Sequence, residues 1–430
     1  MIKHIKNLGL YEKNIILVFF GSSLASFFNL LYQLLIAHRL SPVDFASFNT
    51  LLSIFIVIST PLGAVQATIT KYIAEFNTAG KIDKVKSLLS YIFSKALLFA
   101  VIMFVISYFA SGYILDKLKI YYVTSGYILA VLLALCWVMP VLAGGIQGLE
   151  LFKWYSSSAI TSSLLKLLLA AIFLQVGFGF NGALSAYLIA ILAGALISYI
   201  PLKPYLSFSA ESKKISNEKL FLYIFPLAVS LFCFTVLITS DMLLVKYFFT
   251  PDESGVYSLA QMLGKVILFL PGSISLVMFP RTSGLSAQNQ DARSTVKKSL
   301  LYAVILCFLA SLFYNIFPVQ VLKILTGKAL AETIYLGRFF SVSMIFFALV
   351  YILVIYFLSI KDFRFIKFLA LFAVLQCIAI ILFHRSLVQV QFILCVNSIA
   401  LFLVHILLIG RDGSEATTKV SRLPGALASL

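Results

Sequence analysis

The chain has 430 residues, 61% of them hydrophobic and only 11% charged. Soluble globular proteins carry roughly 25% charged residues and could not cover this much apolar surface, so the composition excludes a water-soluble domain and points to a polytopic membrane protein. The formal net charge of +17 raises the prospect of a nucleic-acid partner, which the distribution of the charges along the chain tests.

Lys3, Lys6 and Lys13 precede the first apolar run. That run is too long for a signal-peptide core and lacks a cleavage site, so it reads as the first membrane helix. Twelve spans follow in order, at about 14–37, 45–72, 88–112, 122–147, 154–177, 181–202, 220–247, 255–280, 298–318, 333–359, 364–384 and 388–410. Each is long enough to cross a hydrocarbon core of about 30 Å with some tilt. The longest connections lie near 204–219 and 281–297 and are too short for a soluble domain. The expected fold is all-α, with about twelve transmembrane helices.

With the N-terminus inside, the internal segments carry 23 Lys/Arg and the external ones 8, Lys246 and Lys328 among them, with Lys166 and Lys265 left within spans. Lys81, Lys84 and Lys86 are among the internal cations, as are Lys361, Arg364 and Lys367. This bias sets both termini in the cytoplasm and explains the basic charge without nucleic acid. The five cysteines, Cys136, Cys233, Cys307, Cys377 and Cys395, all fall in apolar runs with no metal-pair spacing and read as small core residues.

The stretch from Leu220 to Ser283 repeats the plan of residues 12–74, two long apolar helices joined by a tight turn. Pro251 follows Pro42 by 209 positions, as Tyr257 follows Phe48 and Gly272 follows Gly63. Pro271 follows Pro61 by 210, and Arg281 follows Lys71 by the same number. One duplication accounts for all five. Six spans precede the segment 207–219 and six follow it, so both halves share one orientation. The division is a six-helix lobe at 1–206, a cytoplasmic linker at 207–219, a second six-helix lobe at 220–410 and a disordered cytoplasmic tail at 411–430, with the lobes related by an axis along the membrane normal.

Gly177-Phe178-Gly179-Phe180-Asn181-Gly182 matches G-x-G-x-x-G but follows no strand, so it reads as an external turn between spans. Gly144 and Gly148 form a GxxxG pair suited to close helix packing. Pro140 and Pro226 read as fixed kinks. Pro61 and Pro271, beside Gly63 and Gly272, recur between the halves at sites where a bend shapes or moves a cavity; these four are the hinge candidates.

The second span carries Asn49, Ser53, Ile56, Thr60, Gly63, Ala67 and Thr70 on one helical face, and the first has a polar row at Ser22, Ser26, Asn29 and Gln33. Helix packing through small residues accounts for the Ser, Gly and Ala positions. A wet cavity accounts better for Asn29, Gln33 and Asn49, and both readings stand. In the eighth span Tyr257, Gln261, Lys265 and Gly272 share a face. Lys166 lies mid-way along the fifth span, at i, i+4, i+8 from Ser158 and Ser162, and Asp241 lies in the outer half of the seventh. An ionisable group this deep costs roughly 2.5–3.5 kcal/mol to insert, so each needs a partner or water. Asp241 and Lys265 could form a purely structural pair. Lys166 has no obvious acidic partner within the spans and is the leading candidate for contacting an anion. No metal or cofactor is indicated. The histidines (His4, His38, His384 and His405) are scattered, and no catalytic constellation can be assembled.

The motifs Gly21 to Gln33, Ala37 to Phe45, Pro61-Leu62-Gly63 and Lys71, with Pro226, Asp241, Gly255-Val256-Tyr257, Pro271-Gly272 and Pro280-Arg281, give the chain its resemblance to a known family. It resembles the lipid-linked oligosaccharide (polysaccharide) flippases of the multidrug/oligosaccharidyl-lipid/polysaccharide exporter superfamily. The likeness covers the two helix pairs well and the other spans by count and length. Ala46-Ser47-Phe48 departs from the family's frequent Gly before the aromatic. The resemblance implies two six-helix lobes around a central cavity and alternating access. It implies a polyprenyl-pyrophosphate-linked oligosaccharide moved from the cytoplasmic to the outer leaflet, often with H+ or Na+ coupling, and contact with the polysaccharide synthesis machinery and membrane lipid. Two other functions compete. A multidrug exporter would favour acidic residues in the cavity, whereas the buried charges here are two lysines against one aspartate. A membrane-embedded glycan polymerase or glycosyltransferase would need a longer catalytic loop.

Overall fold

The computed structural model describes residues 10–206, 217–288 and 290–420, all helix, turn or coil with no strand among them. The linker expected at 207–219 falls mostly outside the described residues, as does the tail beyond 420. The last helix runs on to Val420.

The helices in order are α1 (Leu10–Arg39), α2 (Pro42–Ser59), α3 (Gly63–Thr78), α4 (Ile82–Lys117), α5 (Val123–Gly148), α6 (Phe152–Gln175), α7 (Gly179–Leu202) and α8 (Asn217–Phe248). They continue as α9 (Pro251–Phe269), α10 (Gly272–Ala287), α11 (Arg293–Ile316), α12 (Pro318–Thr326), α13 (Ala331–Ser359), α14 (Phe365–Leu382) and α15 (Leu387–Val420). Twelve helical spans among the described residues are long and apolar enough to cross a membrane, with α2–α3 and α9–α10 each forming one broken span. Helices dominate because a segment in hydrocarbon must satisfy its own backbone hydrogen bonds. Large side chains on α4, such as Phe99, Ile106 and Phe109, are exposed, as a lipid-facing surface requires.

Local chemistry sets the ends and breaks. Ser41 caps α2 by accepting from the Asp44 N–H at 3.1 Å, with Pro42 in the first turn, where its missing donor costs nothing. Thr250 and Glu253 form a reciprocal capping box at the start of α9. The second span is interrupted by a single 3-10 turn, Thr60–Leu62, built on Pro61. Its counterpart breaks at Leu270-Pro271, between α9 and α10. Proline's missing N–H and ring clash explain both breaks. Gly177 and Gly179 take positive φ between α6 and α7, the conformation of the turn expected there.

Packing divides the chain into two compact units: residues to Leu259 with Leu325–Lys328, and Ala260–Ile324 with the residues from Ala329 on. In the first, α4 packs on α5, α6 on α7, α1 along α6, and α3 on α5, while α8 lies against α2 and α3. That last contact draws α8 into the first unit, although the repeat begins the second half there. One end of this unit is filled by Ile69, Ile73, Leu89, Val141, Ile146 and Leu202. In the second unit α13 is the central element and packs on α10, α11 and α15.

The sequence offset reappears in the contacts. The Tyr32 ring meets Phe48 at 6.2 Å, and 209 positions later the Tyr257 hydroxyl donates to Asp241 at 2.8 Å. Lys166 lies over the Tyr187 ring at 4.8 Å, and 210 positions later Asn397 donates to Gln376 at 3.0 Å. The residue types change, but the touching positions do not. Asn49 donates to Ser258, its own counterpart 209 positions on, at 2.9 Å.

Candidate functional site

The site is built on α1, α2, α6 and α7 of the first unit. Lys166 projects from α6 between two aromatic faces, its ammonium 4.6 Å from the Tyr32 ring centroid and 4.8 Å from that of Tyr187. Tyr32 is fixed by its hydroxyl, which donates to the Ala183 carbonyl at 2.9 Å. Tyr187 is braced edge-on by Phe55. Each ring contact is worth about 0.5–2 kcal/mol to a desolvated cation. An aromatic face stabilises the ammonium without cancelling its charge, as a carboxylate would. The cage therefore holds a net positive charge inside the span, where an anion is attracted more strongly than in bulk water.

A polar relay runs beside the cage. Gln33 donates to Asn49 at 3.3 Å, and Asn49 donates to Ser258. Ser53, one turn further along, is buried with no hydrogen-bond partner for its hydroxyl among the described residues. The second-span stripe then changes role. Asn49 and Ser53 are buried in helix packing, whereas Thr60 and Gly63 line a cavity of about 290 Å³ with Gln66, Pro140 and Ile191. Packing and cavity thus each take part of the stripe.

The remaining predicted residues lie on other elements. Asp241 and Tyr257 are fully buried and bonded to each other. Gln261 is buried and Lys265 half-buried, both in the second unit. Asn29 is exposed on α1, as are Ser22 and Ser26, because α1 packs along α6 and diverges from α2. Pro61 and Gly63 sit at the break in the second span, and Pro271 and Gly272 at its counterpart. Among the described residues, no three His, Cys, Asp or Glu side chains group as a metal site.

Sequence reasoning missed three features. It did not pair Lys166 with Tyr32 and Tyr187, since periodicity within a helix says nothing about which helices meet. It counted Lys246 among the outer cations, whereas the side chain is wholly buried and its ammonium has no hydrogen-bond partner among the described residues. It also missed Lys328, whose ammonium donates to the Ala37 and Leu40 carbonyls at 2.6 and 2.7 Å. These are the free carbonyls at the end of α1, the negative pole of that helix. Gly327 permits the approach: its φ is +71°, and a Cβ there would lie 2.7 Å from the His38 ring. Burial pushes the Lys328 ammonium below the ordinary lysine range. Lys328→Met should cost about 1–3 kcal/mol and lower the melting temperature in detergent, because two charge-assisted bonds are lost. Lys323→Met, at an exposed neighbour on α12, should leave the melting temperature unchanged.

Residues 12–286 match the family model described as polysaccharide biosynthesis protein. The chain belongs to that family. No curated protein is similar enough in sequence to count as a match. Solved structures share the fold at low identity. An inward-facing multidrug resistance MATE family transporter of the MOP superfamily is 15% identical over 90% of this chain and 95% of its own, with TM-score 0.74. The lipid II flippase MurJ, in an inward closed conformation, is 14% identical over 92% and 87%, with TM-score 0.71. A MOP superfamily transporter from Pyrococcus furiosus, with a binding pocket of reverse polarity, is 15% identical over 92% and 94%, with TM-score 0.62. This polysaccharide biosynthesis protein is thus a multi-pass membrane protein with the transporter fold of that superfamily.

Proposed function

We propose that this family member is an alternating-access flippase of the cytoplasmic membrane, moving a polyprenyl-pyrophosphate-linked oligosaccharide from the inner to the outer leaflet for cell-surface polysaccharide synthesis. The observation that carries the reading is the caged, unneutralised charge of Lys166. A pyrophosphate is the part of such a cargo that most needs a cation within the membrane. Gln33, which is part-buried, and the cavity-lining Thr60 offer hydrogen bonds to sugar hydroxyls, and Lys265 is a second candidate cation. The family's place in polysaccharide biosynthesis supports the same cargo. Contacts repeated at the 209–210 offset support two lobes, at 1–206 and 220–410, related by an axis along the membrane normal. Breaks at Pro61-Gly63 and Pro271-Gly272 give each lobe a bend that can open and close. Coupling to H+ or Na+, with Asp241 as the coupling residue, and delivery by the synthesis machinery belong to the same proposal.

A multidrug exporter is the second reading, favoured by the fold shared with the MATE transporter. A cationic drug would meet Lys166 as a repulsive charge. Cells lacking the protein separate the two readings. The flippase reading expects lipid-linked oligosaccharide to accumulate where an externally added glycosidase cannot reach it. Unchanged glycolipid with raised sensitivity to cationic drugs would replace it with the exporter.

Orientation is testable with engineered cysteines. Cys136, Cys233 and Cys307 are buried and Cys377 and Cys395 partly so, which makes a cysteine-free background practicable. Single cysteines at Asp44, Asn181 and Asp252 should react with an impermeant maleimide in intact cells. One at Lys84 should react only after permeabilisation; labelling there in intact cells would reverse the topology.

A further inference from the structure

A trough runs between α1 and α6 on the first unit, with a volume of about 780 Å³. Its origin is steric. Gly21 brings the two helices so close that a Cβ there would lie 2.7 Å from the Ser156 Cβ. Ser156 also donates to the Leu17 carbonyl at 3.3 Å. Small residues at this contact leave a channel between larger neighbours. Its walls are Leu17, Phe20, Leu24 and Ile160, with Phe20 65% exposed. Ser23 and Ser157 add hydroxyls to the lining, and neither makes a hydrogen bond among the described residues.

Lys153 lies at one end of the trough, one residue into α6. Its side chain is exposed, and its ammonium has no acidic partner among the described residues. Ile160 is seven residues further along α6, about 10 Å deeper at 1.5 Å per residue. The trough is therefore amphipathic along the membrane normal: a cation at the membrane boundary, hydroxyls beside it and an apolar channel below. A lysine at that depth can hold its ammonium among the head groups while its stem lies on apolar surface.

We propose that this trough binds the prenyl-phosphate end of the lipid-linked cargo in the leaflet from which it is loaded, with Lys153 contacting phosphate and Phe20, Leu24 and Ile160 contacting the first isoprene units. The proposal rests on the flippase reading above for the identity of the lipid. Charge complementarity favours an anionic lipid over a neutral one, and a channel confined between two helices favours a single chain over the paired chains of a phospholipid. The Lys/Arg bias puts the start of α6 on the cytoplasmic side, the side on which such a cargo is assembled.

The reporter is built in. The chain has two tryptophans, and Trp154, beside Lys153, is 38% exposed. Trp137→Phe leaves Trp154 as the sole indole of the full-length protein in detergent. Titration with farnesyl diphosphate should give a saturable change in its emission. Lys153→Gln, and replacement of the probe by farnesol, should each weaken binding about ten-fold or more. Ser157→Leu, which fills the channel from an exposed position, should abolish it. Absence of saturation, an unaltered response in Lys153→Gln, or equal competition by phosphatidylglycerol would overturn the proposal. Transport of a labelled lipid-linked oligosaccharide by the same variants separates the two claims. Normal transport by Ser157→Leu would remove the trough from the transport path and leave the flippase standing. Saturable binding by a wild-type protein that moves no glycolipid would retain the trough as a prenyl-phosphate site and remove the flippase.

Discussion

Lys166→Met is expected to reduce export of the lipid-linked glycan about ten-fold or more at matched abundance in the membrane. Methionine keeps an apolar stem between the Tyr32 and Tyr187 rings and has nearly the same length, so the packing of α1, α6 and α7 should survive. What it removes is the charge. A ten-fold loss corresponds to about 1.4 kcal/mol, a modest share of what an ammonium contributes to an anion in a poorly solvated site. Lys166→Arg should retain part of the activity, because charge and aromatic stacking persist while the geometry of the donors changes. Lys166→Ala/Lys265→Ala should fall further than either single variant, and normal export by this double variant would remove the cationic mechanism. Asp241→Asn addresses coupling separately: its amide oxygen can still accept from Tyr257, so a lost ion dependence with a retained fold would assign the carboxylate to coupling. Export is read from surface glycan, and abundance from the monodisperse peak of a fluorescent fusion.

Gly148→Leu should prevent the protein from accumulating in folded form. A Cβ at Gly148 would sit 2.7 Å from the Ile73 Cβ and 2.9 Å from the Thr70 carbonyl oxygen. At Gly144 it would sit 2.9 Å from the Gln66 carbonyl oxygen. These neighbours are backbone or branched stems that cannot swing away, so α3 and α5 would have to separate. Alanine at either position should cost about 1–3 kcal/mol by overpacking, and leucine more. The sequence spacing of the two glycines predicted close packing in the membrane, and their partner proves to be the second half of the broken second span. Gly112→Ala is the control. Nothing lies within 4 Å of a Cβ there, and alanine's helix propensity should make the change neutral or slightly stabilising. Thermal loss of the monodisperse peak in detergent measures both.

What could be read from the residues alone follows from what periodicity reports. Spans, turns and the breaks at Pro61 and Pro271 are properties of one segment and its backbone, so they were legible. So was the repeated offset of 209–210, because Pro, Gly and aromatic residues stand out in an apolar background. Partners between helices were not. Gln33 and Asn29 lie on one row of α1, yet only Gln33 reaches α2, since α1 runs along α6 instead. Tyr187 is 21 residues from Lys166 and becomes its partner only when α6 and α7 fold back on each other. Lys246 looked like an outer cation because it stands near a turn, and helix packing buried it. The repeat itself could have helped: the counterparts of Lys166 and Tyr187 are Gln376 and Asn397, two polar residues of equal spacing in otherwise apolar spans.

The most direct test of the flippase reading is movement of the cargo itself. Purified protein would be reconstituted in liposomes with a fluorescent polyprenyl-pyrophosphate-linked oligosaccharide, and the fraction reached by an added, impermeant glycan-modifying enzyme would be followed in time. The account predicts that wild-type protein makes glycolipid of the inner leaflet accessible, that Lys166→Met slows this about ten-fold or more, and that a neutral prenyl-linked sugar lacking the pyrophosphate moves poorly. Accessibility that stays at the protein-free level, or identical rates for the wild type and Lys166→Met, would contradict it.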